Sequence, residues 1–396
     1  MKTKIRLSQL LVIGCFFGFF LFCLVWGIAQ PDRPSSAAEN RSLAQRPAMR
    51  RVVTDFGGFA KDFESYAADQ FPDREQLIGV YTALELAQGK KFARKAYCLQ
   101  GGWLLTKPTP TKPADLSALQ QALAQAGALD RPLVWCVLPL KNEALYDLEP
   151  AYFSDETGET NKQALTAALA QVEGLTVIDA EAPLVTGTLA DREQYFYKTD
   201  FHWNARGAFA AAQEIARQLA GAGTIAEASV PQAEDFLWSE LGGERRYQGD
   251  LNVWFSNQFS MQEDIPRYVP KNAADLRYFL HPGDIESVPR ETIVGSGLDK
   301  DPVTYNDVFT YNLGYYRVEN PDAPEAASVL ILKDSFQNAT IDYLSAIFRS
   351  VTVVDPRSYQ ETPDLASLLD ADGIDLVLFF YHQNNVSREL IDFLSA

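Results

Sequence analysis

The sequence predicts an α/β fold, a mostly parallel sheet with helices on both faces, carried behind one N-terminal membrane-crossing helix. Two observations predict it. Short, near-continuous apolar runs such as Leu133–Leu138 (LVWCVL), Val329–Leu332 (VLIL) and Leu376–Phe380 (LVLFF) alternate with longer Ala/Leu/Gln stretches, the pattern of strands buried on both faces between crossover helices. From Leu10 to Ala29 twenty residues carry no charge, about the length that crosses a ~30 Å hydrocarbon core as a helix.

Lys2, Lys4 and Arg6 precede that run and acidic residues dominate after it, which places the N-terminus in the cytoplasm and the body of the chain outside. Gly27-Ile28-Ala29 has the small residues of a cleavage site, yet the run exceeds the roughly 7–15 residues of a secretory h-region. The expectation is a single-pass cell-membrane anchor over residues 1–30. Pro31–Ala38 (PDRPSSAA) then reads as a linker that lifts an extracytoplasmic domain, residues 39–396, off the membrane.

Within that domain Phe59, Phe63, Tyr66 and Ala67 have helical spacing, a second helical run follows from Leu77 to Lys90, and Tyr97–Leu105 reads as a strand or hairpin. Helices are expected over Leu116–Ala126, Lys162–Gln171, Ala205–Ala220, Asn338–Phe348 and Ser387–Leu394. Strands are expected over Leu133–Leu138, Leu175–Ile178, Val329–Leu332, Val351–Val354 and Leu376–Phe380. The stretch from about 225 to 312 breaks this rhythm and, rich in aromatics, Gly and Pro, reads as an insertion of short strands and loops.

Composition narrows the function. With 47% hydrophobic and 22% charged residues the chain has material for a core and is no disordered polyelectrolyte. Its 35 Lys+Arg against 52 Asp+Glu, a net −17, argue against a nucleic-acid surface, which must neutralise phosphates with clustered cations. Cys15 and Cys23 fall in the anchor. Cys98 and Cys136 can form one disulfide or stand as two buried thiols. Neither a Cys-x-x-Cys nor a Cys/His cluster is present, so no metal is implied, and no phosphate-cradling glycine loop points to an organic cofactor.

Two segments can carry chemistry. Thr199-Asp200-Phe201-His202-Trp203-Asn204 opens the Ala205 helix, and an Asp two residues before a His can turn back to accept from Nδ1–H, leaving Nε2 as a base. A helix cap beside a packed histidine gives the same letters. Leu332-Lys333-Asp334-Ser335-Phe336 ends a buried strand and enters a helix, where a serine meets backbone N–H groups able to hold an oxyanion; Asp334 or Ser335 as a simple cap is the plainer reading. Taken together they supply acyl transfer with Ser335 as nucleophile, His202 as base and Asp200 orienting it. The chain has three histidines. His281 lies in a His-Pro-Gly turn, and His382, after the last strand, is the rival base, with only amide neighbours in Gln383-Asn384-Asn385.

These motifs, with Glu39-Asn40-Arg41, Asp69-Gln70-Phe71-Pro72-Asp73-Arg74, Gly102-Trp103-Leu104 and Val353-Val354-Asp355-Pro356-Arg357, resemble the exported DHHW proteins. Those are similar to the SGNH hydrolase-like alginate O-acetyltransferases AlgX and AlgJ. The resemblance implies a flavodoxin-like SGNH fold with a Ser335/His202/Asp200 site. Phe201 replaces a His of the DHHW pattern, and Lys333 replaces the Gly of a Gly-Asp-Ser. The Asn of the SGNH name has Asn338, Asn384 and Asn385 as candidates. It further implies a membrane-bound O-acyltransferase partner as acyl donor and a cell-envelope polysaccharide as acceptor, with exposed aromatics in Trp238–Tyr268 to bind sugar or simply to pack the insertion. An esterase or deacetylase with the same triad, and an inactive envelope scaffold, are the alternatives.

Overall fold

Along the strand Leu133–Leu138 every residue is buried, and the two-residue side-chain period sorts them into two cores. Val134, Cys136 and Leu138 join one cluster, while Leu133, Trp135 and Val137 join the other. The strands Val329–Leu332 and Leu376–Phe380 divide in the same way, so the sheet is covered on both faces. Each fully buried Leu or Ile in these layers contributes about 1.5–3 kcal/mol.

The computed structural model describes residues 7–36, 41–93, 96–148, 156–241, 246–295, 297–359 and 364–395. Lys2, Lys4, Arg6, Ala37, Ala38, Glu39 and Asn40 lie outside the described residues. The sheet strands are β1 (Leu133–Leu138), β2 (Leu175–Asp179), β3 (Arg277–Phe279), β4 (Tyr315–Glu319), β5 (Glu325–Lys333), β6 (Phe348–Val354) and β7 (Leu376–His382). Their order is β3-β4-β6-β5-β7-β1-β2. The pairs β6/β5, β5/β7, β7/β1 and β1/β2 are parallel, and β4 and β3 add an antiparallel edge. The main helices are α1 (Leu7–Ala29), α2 (Phe56–Asp69), α3 (Arg74–Ala87), α4 (Pro113–Gly127), α5 (Thr157–Leu169), α6 (Ala205–Gly221), α7 (Leu365–Ala371) and α8 (Arg388–Leu394). Alanines of α6 pack on one face, and leucines of α4, α5, α7 and α8 on the other. This is the SGNH-like α/β architecture.

Three details differ from the sequence reading. The stretch expected as one helix from Asn338 to Phe348 is a tight turn over Ser335–Ala339, a short helix over Ile341–Ser345, and then β6. Phe348 is fully buried and pairs with Glu325, so burial in the sheet overrides local helical preference. The strand β4 went unread because Tyr315–Glu319 carries Arg317 and Glu319, which blur its apolar signal. The insertion lends β3 to the sheet edge and pairs Phe236–Leu241 antiparallel with Ile265–Pro270. Cys98 and Cys136 are buried and not joined in a disulfide.

The chain divides into two compact units, residues 1–93 with 253–258, and 94–252 with 259–396. In the first, α1 contains a twenty-residue apolar stretch, Ser8–Gly27, of mean hydropathy 2.5, long enough to cross a membrane. The segment read as a spacer is tied down there. Ser35-Ser36 pairs with Arg41-Ser42, Arg33 N–H donates to Gln70 Oε1 at 2.9 Å, and Tyr66 Oη–H donates to Asp32 at 2.7 Å. Asp69 receives Arg41 Nη2 at 2.6 Å and Ala44 N–H at 2.8 Å; the Arg41 bond holds its carboxyl down at about 2. The second unit contains the sheet and all three histidines.

Candidate active site

Ser335 follows the C-terminal end of β5, the middle strand of the sheet. The chain leaves β5 for β6 on one side and returns to β7 on the other, and it is at such a change of direction that parallel α/β sheets open a crevice. Asp334 builds the turn. Its Oδ1 accepts from Phe336 N–H at 2.9 Å, and its Oδ2 accepts from His382 N–H and Asn385 Nδ2–H, each at 3.2 Å, tying the serine turn to the end of β7. Ser335 is half-buried while Asp334 and Phe336 on either side are buried. The N–H of Phe336, next after the serine, is thus committed to Asp334.

The Asp200–His202 segment is a loop closed by a bridge between Phe196 and Trp203. Asn204 ends it by capping α6, its Oδ1 accepting from Arg206 N–H at 2.9 Å and Gly207 N–H at 3.3 Å. Gly207 is required there by a close approach, since a Cβ would stand 2.6 Å from the Tyr195 carbonyl oxygen. From this loop His202 Nδ1 meets Asp200 Oδ1 at 2.8 Å and Nε2 meets Ser335 Oγ at 2.9 Å. A carboxylate only accepts, so Nδ1 carries the proton and Nε2 is left as acceptor for the serine hydroxyl.

Asp200 is fully buried and its four acceptor positions are used. Oδ1 also takes His202 N–H at 3.1 Å, and Oδ2 takes Tyr247 Oη–H at 3.0 Å and Asp250 N–H at 3.2 Å. Burial pushes this carboxyl up, but the charge and hydrogen bonds of His202 outweigh it and hold it below the usual carboxylate range. The imidazole plane is fixed by Tyr305, stacked at 3.9 Å and 10°, and by Phe201, whose ring centre lies 4.0 Å away. Trp203 Nε1–H donates to the Phe336 carbonyl at 3.0 Å, joining the histidine loop to the serine turn.

The structure thus brings Ser335 and the Asp200–His202 pair, more than 130 residues away in sequence, into one hydrogen-bonded line. His382 does not hold the base position. Its Nε2 is 3.8 Å from Asp334 Oδ2 and its ring stands edge-on to Phe336. His281 sits in its turn, with N–H on Asp284. Of the asparagines, Asn338 lies between Lys333 and Asn312, Asn384 pairs with Asn161, and Asn385 supports Asp334. Lys333 is wholly buried beneath the serine turn, with Nζ on Asn338 Oδ1 and 3.7 Å from Asp355, which in turn holds Arg357. Burial pulls this ammonium down to about 8, while Asp355 opposes the shift.

Sequence reasoning missed Tyr247, Gly249, Asp250, Glu263 and Tyr305, which come from the insertion, and Lys141. A lysine two residues after the buried run Leu133–Pro139 was the one visible signal among them. Asp200, His202 and Asp250 bring one ligand atom each within 4.8 Å of one another. Both oxygens of Asp200 and both ring nitrogens of His202 are already engaged, so a metal bound there would dismantle the hydrogen-bonded line.

The class of fold this defines is SGNH hydrolase-like α/β. Residues 103–275 match the family described as SGNH hydrolase-like domain, acetyltransferase AlgX, and the chain is similar to the DHHW and AlgX/AlgJ proteins that its motifs resemble. Among solved structures it is similar to PatB1 of Bacillus cereus, at 23% identity and a TM-score of 0.63 over 74% of this chain and 97% of that one. A DHHW family protein from Eubacterium siraeum matches at 16% identity and a TM-score of 0.57, over 76% and 94%. The O-acetyltransferase domain of Pseudomonas putida AlgJ matches at 15% identity and a TM-score of 0.43, over 76% and 98%. No curated protein matches the sequence.

Proposed function

We propose that this protein is a membrane-anchored, extracytoplasmic acyltransferase that moves an acyl group, acetyl in the simplest case, onto a hydroxyl of a cell-envelope polysaccharide. The observation that carries the reading is the continuous line from Asp200 through His202 to Ser335, at 2.8 and 2.9 Å. His202 Nε2 takes the hydroxyl proton as Ser335 Oγ attacks the donor carbonyl. The tetrahedral adduct collapses to an acyl-serine, and the proton passes from Nε2 to the leaving group. An acceptor hydroxyl then gives its proton to Nε2 and attacks the acyl-serine, forming the new ester and restoring Ser335. Asp200 keeps Nδ1–H in place and stabilises the imidazolium formed in each half.

The polysaccharide acceptor is supported by the acetyltransferase family matched over residues 103–275. Trp238, half-exposed beside Tyr268 at 4.5 Å with the Arg206 guanidinium 5.0 Å from its ring, offers an aromatic face of the kind sugars stack on. The anchor reading is supported by the apolar length of α1. A membrane-bound O-acyltransferase is the expected source of acyl groups, by the resemblance of the chain.

The test is turnover of a chromogenic acetyl ester by the detergent-solubilised full chain, wild type beside Ser335→Ala and His202→Ala, with and without an oligosaccharide. Loss in both variants supports the acyl-serine route, and acetylated oligosaccharide selects transfer over hydrolysis. Water as the only acceptor would make the protein an esterase, and a wild type with no turnover at all would sink the enzymatic reading.

A further inference from the structure

We propose that Lys141 and Glu263 form a buried clamp that positions the Asp200–His202 loop for catalysis. The inference rests on the acyl-transfer reading above. Lys141 follows the C-terminal end of β1 and is 3% exposed. Its Nζ donates to three backbone carbonyls, Leu104 at 2.7 Å, Lys198 at 2.9 Å and Asp200 at 2.7 Å. An ammonium has three donors, and all three are used. Burial draws this group down to about 7, yet only the charged form meets three acceptors at once.

From the other side, the Glu263 carboxylate accepts from the N–H of Lys198, from the N–H of Thr199 at 3.0 Å, and from the Thr199 hydroxyl. Burial pushes Glu263 up, while those bonds and the Lys141 charge oppose the rise. The segment Lys198–Asp200 therefore has the Lys198 and Asp200 carbonyls held by a cation and the Lys198 and Thr199 N–H groups held by an anion. The Asp200 carboxylate hangs from the residue whose carbonyl Lys141 holds. Two side-chain torsions separate it from that backbone, so a shift of the peptide carries directly to the contact with His202 Nδ1.

Neither Lys141 nor Glu263 is bonded to Ser335 or to the imidazole, so both are positioning residues. Buried charges are a poor device for stability alone, because apolar replacements of similar volume are often neutral or better. A loop held this way makes sense where a misplacement of 1 Å costs about 100-fold in rate.

The experiment compares Lys141→Met and the milder, isosteric Thr199→Val with wild type in the full chain. It measures kcat and KM for a chromogenic acetyl ester, the thermal midpoint, and the far-downfield proton resonance of the His202–Asp200 hydrogen bond. The expected result is a kcat lower by about 100-fold in Lys141→Met and about tenfold in Thr199→Val. KM should be little changed, and the resonance moved or lost in protein that is still folded. Thr199→Val keeps the test decisive if Lys141→Met does not fold. A kcat that falls only with the folded fraction, with the resonance unmoved, overturns the clamp. A wild type without turnover overturns the acyl-transfer reading instead, and the resonance still decides whether the clamp sets the histidine.

Discussion

Gly249 lies against the peptide bond that joins Thr199 to Asp200, so closely that a Cβ on it would stand 2.2 Å from the Thr199 carbonyl oxygen and 2.5 Å from Asp200 N. The glycine is needed for close approach. That approach lets the next residue, Asp250, place its N–H 3.2 Å from Asp200 Oδ2. The insertion is thereby a structural part of the site.

Gly249→Ala should force that peptide aside. An expected destabilisation of about 1–3 kcal/mol, the usual range for overpacking, is checked by denaturant titration. Ester turnover should fall further than the loss of folded protein explains. Normal turnover in the variant would mean that the contact tolerates movement without disturbing Asp200.

Asp200→Asn keeps the shape of the carboxylate but can present an N–H to His202 Nδ1. The ring would then carry its proton on Nε2 and could not accept from Ser335. A kcat lower by about 10⁴-fold, as in other Ser/His/Asp sites, is the expected outcome, at a KM near that of wild type. Steady-state kinetics on the chromogenic ester measure both.

Asp250 gives a pH signature. Burial first, and the neighbouring Asp200 charge second, push its carboxyl up to about 6 from the usual 3.8 of an aspartate. The folded state then binds a proton that the unfolded state has released between those two values. Its stabilising effect is full below about 4 and is lost as pH rises through about 6. Asp250→Asn should therefore match wild type in thermal midpoint near pH 4 and exceed it at pH 7. A gap that does not change over this range would show that Asp250 titrates as an ordinary carboxyl.

Lys333 stands where a Gly-Asp-Ser sequence has glycine, and it supports the serine turn through Asn338. Replacing it with Met leaves Asp355 with Arg357, whose Nη2 is 2.7 Å away. The loss of stability should therefore fall short of the roughly 3–5 kcal/mol seen when a buried charge loses its sole partner. Lys333→Gly, which also empties the space, should be the less stable of the two. Urea denaturation of both variants orders them, and the reverse order would mean that the turn closes over the gap.

The strands that were readable in sequence are the doubly buried ones. In β1, β5 and β7 consecutive residues enter cores on both faces, so the apolar run is unbroken. The antiparallel edge escaped reading because Arg317 and Glu319 interrupt β4. The region after Ser335 was misread because its helical and extended parts share similar apolar letters, and only the pairing of Phe348 with Glu325 separates them. In the site, Asp200 and His202 were legible because they are two residues apart, and Ser335 because it ends a buried strand. Lys141, Tyr247, Gly249, Asp250, Glu263 and Tyr305 act through contacts with residues far from them in the chain. Apart from the place of Lys141 just after a buried strand, their local sequence carries no trace of that.

The sequence by itself determined the class of fold, the apolar helix at its start and the residue types of a Ser/His/Asp site, since hydrophobic periodicity and short-range motifs are local properties of a chain. Only the tertiary structure decided that His202 and not His382 faces Ser335, because that choice depends on where two loops 133 residues apart are held. The holding is done by buried charges and a glycine contact from an irregular insertion. Such groups are recognisable only once the fold has removed them from water and set their partners within hydrogen-bonding distance.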